Sequence, residues 1–283
     1  MSELQTKIEN AFLRTFYSTF TYLKRPSFGS GEKLDLSKFH LTFEDNFDSG
    51  GIDSTKWHVQ ENYNRKGGYW DKSQAFIKDD NLIIRTQYKP DGRLGAGYYS
   101  TCLDGGGLFE QTFGYFECRC KLPAAKGIWS AFWFMPHNQL AKGVPPQSGV
   151  EIDVFESPMF AMKKNDFITS NLHYGGYGIG HRIKVVGFFK AVNPYTQFNT
   201  YGLEWNKNEY IFYINGIETA RVKGKWVSQC PESMLLSVEV DGIGSKPSSG
   251  WSGVITDNPP GTLPVDFVVD YVKAYQYNDL NNN

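Results

Sequence analysis

From Leu41 onward the chain is written in short apolar runs with a period of two, divided by Gly, Asn, Asp and Pro. That texture admits few folds, because a strand sends successive side chains to opposite faces and only a layered sheet can bury one of them. Leu82, Ile84, Thr86 and Tyr88 alternate with Ile83, Arg85 and Gln87. Phe116, Cys118, Cys120 and Leu122 alternate with Tyr115, Glu117, Arg119 and Lys121. Further runs cover 129–135, 151–156, 169–174, 201–205, 210–214, 234–240 and 267–277, and Asn215-Gly216 marks a tight hairpin between two of them. Many short strands without intervening helices predict a sandwich or jelly-roll. At 283 residues the chain accommodates one large all-β domain, expected over 31–283, with a sizeable core.

Residues 1–30 read differently. Leu4, Ile8, Ala11, Phe12, Thr15, Phe16, Thr19, Phe20 and Leu23 recur at three- and four-residue spacing, which predicts one amphipathic helix ended by Pro26. Its three phenylalanines need cover, so the helix is expected to pack on the main domain, with an oligomer contact as the alternative. Charges interrupt this segment and no cleavage site follows it. It therefore does not read as a secretory leader, and the chain as written is expected in the cytoplasm.

The charge balance excludes some partners. Lys and Arg total 29 against 30 Asp and Glu, which leaves no concentrated basic face for nucleic acid or an acidic membrane. Cys102, Cys118, Cys120 and Cys230 form no CxxC pair, so zinc and dithiol chemistry are weak readings. Cys118 and Cys120 lie on one face of a strand and cannot bridge each other, so buried free thiols are expected. Aromatic residues reach 16% of the chain, a density that suits strands and also flat platforms for sugar rings.

One segment demands chemistry. Glu151-Ile152-Asp153-Val154-Phe155-Glu156 places three carboxylates in an otherwise apolar strand. Glu151 and Asp153 share a face; Glu156 has the opposite parity. One extra residue at Val154–Phe155, a β-bulge, would bring Glu156 back to the same face. Carboxylates so clustered repel, and at least one should hold a proton at neutral pH. Retaining glycoside hydrolysis needs that combination: an ionised nucleophile and a protonated acid roughly 5–5.5 Å apart. A solvated acidic strand and a calcium site are the alternatives at this stage. The apolar Ile152, Val154 and Phe155 speak against the first, and calcium sites draw more on Gly- and Asn-rich loops.

The motif resembles the bulged Glu-x-Asp-x-x-Glu signature of glycoside hydrolase family sixteen, in its laminarinase-like branch. The resemblance extends over Leu41–Phe47 with Trp57, Gly114–Pro123, Gly127–Trp133, Glu204–Gly216 and Phe267–Val272. It implies a concanavalin A-like jelly-roll, with Glu151 as nucleophile, Asp153 as its assisting carboxylate and Glu156 as acid/base. It also implies that Glu117, Arg119, Trp129, Trp133, Asn171, His173, Ser237, Glu239 and Trp251 meet the substrate. No cofactor is expected. A structural calcium, common in the family, would involve Asp270 and the Asn46 region, although Asn46 replaces the usual acid.

The implied activity is retaining endo-hydrolysis of a β-linked polysaccharide, with β-1,3- or mixed-linkage glucan ahead of galactan. Transglycosylation on the same glutamates and a non-catalytic carbohydrate-binding jelly-roll are the alternatives. Two departures bear on the substrate. The approach Pro145-Pro146-Gln147-Ser148-Gly149 lacks the tryptophan many relatives carry there, and Glu239 stands where several have an aromatic or an amide.

Overall fold

A computed structural model describes residues 26–136, 149–161, 165–178 and 180–279. The expected helix over 3–23 and the approach at 145–148 lie outside the described residues. The regular structure described is almost entirely strand, arranged as two large sheets face to face that are antiparallel except where Gly68–Trp70 pairs with Gly97–Ser100.

The outer sheet runs, in spatial order, through Ile217–Lys223, Glu209–Ile214, Asn199–Trp205, Gly114–Lys121, Val265–Tyr277, Asn81–Lys89, Gly97–Ser100, Gly68–Trp70 and Tyr63–Arg65. The long strand Val265–Tyr277 takes Asn81–Lys89 and Phe39–Asp45 successively along one edge. The inner sheet runs Arg182–Lys190, Phe167–Tyr174, Glu151–Glu156, Ile128–Pro136, Glu232–Val240, Cys102–Asp104 and His58–Val59. Within the described residues no helix is long and apolar enough to cross a membrane.

The period-two pattern decides which side chains fill the space between the sheets. Phe116, Cys118, Cys120 and Leu122 from the outer sheet are buried against Phe132, Phe134, Ile152, Phe155, Leu236 and Val238 from the inner one. Rings cross that layer directly: Phe116 meets Phe134 at 4.9 Å between centroids, and Phe155 meets Tyr201 at 4.4 Å. Each fully buried side chain of this size contributes roughly 1.5–3 kcal/mol. All four cysteines are free, with Cys102, Cys118 and Cys120 buried.

The turn at Asn215-Gly216 has φ of 51° and 73°, the left-handed pair that a two-residue hairpin of this hand requires. Near the start of the domain, Trp57 donates its indole N–H to Asp45 at 2.8 Å and pins the opening strand to the following loop.

A second aromatic cluster covers the far side of the outer sheet. Phe39, Tyr115, Ile211, Tyr213 and Tyr277 are buried there beneath Leu34. The arm that carries Leu34 is tied to the sheet edge by backbone bonds from Gly31 to Glu218 and from Leu34 to Gly216. With that face closed, the open face of the inner sheet is left to hold a cleft.

Candidate active site

Strand parity builds the cleft floor. In Ile128–Pro136 the even-numbered side chains Ile128, Phe132 and Phe134 go to the core. Trp129, Ala131, Trp133 and Met135 therefore face outward, and they line a cavity of about 900 Å³. In the neighbouring strand Ile152 and Phe155 are core residues, three apart, so the alternation breaks between them. The pairing shows where: Trp133 opposes Asp153 and Phe132 opposes Phe155, leaving Val154 without a partner across the ladder. This is the bulge the sequence predicts. It returns Glu156 to the face of Glu151 and Asp153, and all three carboxyls line the cavity.

Burial pushes the carboxyls of Glu151, Asp153 and Glu156 each up to about 8, because a charge there loses its water. For Glu151 and Glu156 the neighbouring Asp153 raises the value further, while His173 opposes it. The cluster therefore holds protons at neutral pH, and those protons belong to the group as a whole. Asn171 donates from Nδ2 to Glu156 at 2.8 Å, and His173 Nε2 lies 3.3 Å from Asp153 Oδ2.

The predicted contact residues divide into three groups. Trp129, Trp133, His173, Ser237, Glu239 and Trp251 all line the cavity. Trp133 is fixed by its indole N–H, which donates to Ser237 Oγ at 3.1 Å, and Trp129 meets Trp251 edge-on at 5.3 Å. Asn171 is a partial correction: it is fully buried beneath the floor and reaches Glu156, so it holds a carboxyl in place of a sugar.

Glu117 and Arg119 are a full correction. They belong to the outer sheet and face away from the cleft, since the inward parity of their strand is taken by Phe116, Cys118 and Cys120. Glu117 accepts from the hydroxyls of Tyr115 and Tyr271, while Arg119 pairs with Asp270 and stacks on Phe198. That pairing also bears on calcium. Asp270 already faces a guanidinium, and Asn46 bonds to Glu44, so these residues do not fit a divalent cation.

Several cleft residues escaped the sequence reading. Arg65 grips Glu239 with two nitrogens, at 2.7 Å each, and lies 4.8 Å from the ring of Trp70. Lys66 sits over Trp129 at 5.3 Å. These residues come from the hairpin Tyr63–Arg65 and Gly68–Trp70, where the run Tyr63-Asn64-Arg65-Lys66-Gly67-Gly68-Tyr69-Trp70 was the available signal. Tyr63 and Tyr177 are each about half exposed and border the cavity, and His181 lies beside His173.

A half-buried Trp133 on the floor predicts a binding role. Trp133→Ala should raise KM on oligosaccharides with a smaller change in kcat, because stacking acts in both ground and transition states. Unchanged KM in a variant with an unaltered melting curve would make Trp133 a packing residue only.

The sequence profile described as "Glycosyl hydrolases family 16" matches residues 61–268. A keratan-sulfate endo-1,4-beta-galactosidase of Sphingobacterium multivorum is 29% identical over 84% of this chain, which spans 55% of that protein's length. A beta-glucanase of Rhodothermus marinus is 25% identical over 96% of this chain and 97% of its own. Among solved structures, SCLam, a non-specific endo-beta-1,3(4)-glucanase, superposes with a TM-score of 0.72 at 25% identity, covering 91% of this chain and 99% of its own.

Proposed function

The chain belongs to glycosyl hydrolases family 16, and on that premise we propose that it cleaves internal bonds of a β-linked polysaccharide with retention of configuration. The observation that carries this reading is the bulge at Val154, which gathers three carboxyls on the floor of one cleft. In the first step the Glu151 carboxylate attacks the anomeric carbon while Glu156 gives its proton to the departing glycosidic oxygen. In the second, Glu156 takes a proton from water, and the resulting hydroxide displaces Glu151 from the same carbon. Asp153 lies between the two in sequence and shares the buried charge. Trp133 and Trp251, both partly exposed on the cavity wall, supply flat faces for the sugars.

A β-1,3- or mixed-linkage glucan is the preferred substrate, in keeping with the glucanases it resembles. A β-galactan is the second reading, favoured by the Sphingobacterium relative and by the Arg65–Glu239 ion pair at a position where an aromatic or amide was expected. Reducing-end release from laminarin, lichenan, agarose, porphyran and keratan separates the two, and proton NMR of the first products should show the β anomer. Release from galactans alone would move the substrate, and an inverted anomer would end the retaining assignment. Binding without any release would favour the carbohydrate-binding alternative.

A further inference from the structure

Two histidines face the carboxyl cluster in single file. His181 lies in the turn between Phe167–Tyr174 and Arg182–Lys190, where its backbone N–H bonds to Gly178 at 3.0 Å. Its Nε2 is 3.0 Å from Nδ1 of His173, and the two rings are nearly parallel, 12° apart. The other nitrogen of His173 is the one that meets Asp153 Oδ2 at 3.3 Å. That oxygen is buried and, among the described residues, has no hydrogen-bond partner of good geometry. The cleavage reaction, as derived above, makes no use of His181.

A neutral imidazole carries a single proton, so each of these contacts constrains the next. When the shared protons sit on the glutamates, Asp153 is ionised and needs a donor, and the nitrogen facing it is Nε2 of His173; a proton on Asp153 would run the donor chain the other way. Placing the proton on that nitrogen leaves Nδ1 of His173 as an acceptor. The proton in the contact between the rings must then come from Nε2 of His181. The surroundings agree with a neutral His181: burial, then the His173 and Arg182 charges, all lower its pKa. The other groups facing the pair are the Tyr177 ring, 5.7 Å from His181, and the carboxyls of Glu151, Asp153 and Glu156 beyond His173.

We propose that His181 is a positioning residue: its Nε2–H fixes the proton of His173 on Nε2, aimed at Asp153, and thereby sets how the carboxyls beside it share their protons. The proposal rests on the roles given above to Glu151, Asp153 and Glu156. It belongs to this chain's own turn, since it depends on a residue eight positions beyond His173.

The test begins without substrate. Nitrogen-15 NMR of the histidine-labelled full chain should show His173 as the Nε2–H tautomer, and His181→Leu should abolish that preference. In kinetics, His181→Leu should lower kcat by about tenfold, the worth of one such hydrogen bond, with KM within about twofold. Without that donor the His173 proton is no longer held on Nε2, the sharing of protons among the carboxyls beside it changes, and the acid limb of the rate profile should shift. His181→Gln, whose amide can still donate, should recover most of the rate. An Nδ1–H tautomer in the unaltered chain overturns the proposal, as do Leu and Gln variants equally impaired, or a Leu variant with an unchanged rate and pH profile. A chain that shows the tautomer but hydrolyses no polysaccharide supports the hydrogen-bond assignment and retires the hydrolase reading instead.

Discussion

Replacing either Glu151 or Glu156 by glutamine is expected to cut turnover by several orders of magnitude while leaving oligosaccharide binding in place. An amide keeps the size and most contacts of the acid but neither attacks the anomeric carbon nor moves a proton. The two losses should differ in kind. Azide, a small nucleophile, should restore activity to Glu151→Gly by entering the space of the missing carboxylate, and the product is then a glycosyl azide of inverted configuration. In Glu156→Gly, azide should act only on the second step and give the retained azide, because Glu151 still forms the covalent intermediate. Exchange of these two outcomes would swap the roles of the glutamates. Binding lost in parallel with turnover would mean that the carboxyls position sugar and that the chemistry lies elsewhere.

How much of this site could be read in advance depended on whether its logic was local. The bulge was legible because three carboxylates of mismatched parity sit within one strand, and only an extra residue reconciles them. The hairpin at Asn215-Gly216 was legible for the same reason, since the φ values needed there are ones that Asn and Gly tolerate. The resemblance placed Glu117 and Arg119 in the cleft, and parity could not correct it. Parity shows that the two share a face, but not which sheet the strand joins, and the outer sheet turned that face away from the cleft.

Pairs made across the fold left no local trace. Arg65 and Glu239 are 174 residues apart, and although the resemblance places Glu239 at the cleft, nothing local pairs it with Arg65. Asn171 was located correctly on its strand but misread in function, because being on the strand beside Glu156 put it under the carboxyl rather than under the sugar. His181 lies in a turn whose shape no periodicity announces.

The carboxyls that serve the cleft should also lower the stability of the fold as pH rises. A buried acid whose folded pKa lies above its unfolded one favours the native state most below the unfolded value, near 4.5. That contribution is lost as pH climbs toward the folded value, because the unfolded chain gains an ionisation the folded chain resists. Glu151 and Glu156, both raised to about 8 by burial, fall in this class. So does Glu232, likewise raised to about 8 by burial, which lies outside the cleft lining and accepts the backbone N–H of Val150 at 3.0 Å. Glu232→Gln is the cleaner test, since the amide mimics the protonated acid and its oxygen can keep the bond to Val150. At pH 7 the variant should be more stable by an amount on the order of a few kcal/mol, at roughly 2–4 °C of melting temperature for each. At pH 4 the gain should vanish, and activity should change little at either pH. Glu151→Gln and Glu156→Gln should show the same pH-dependent gain together with their loss of turnover, the exchange of stability for function expected where charges are forced into a dry site. Melting curves of the three variants between pH 4 and pH 8 decide it: a gain of equal size at both ends would assign the effect to packing, and a loss at pH 7 would show that Glu232 is held as an anion.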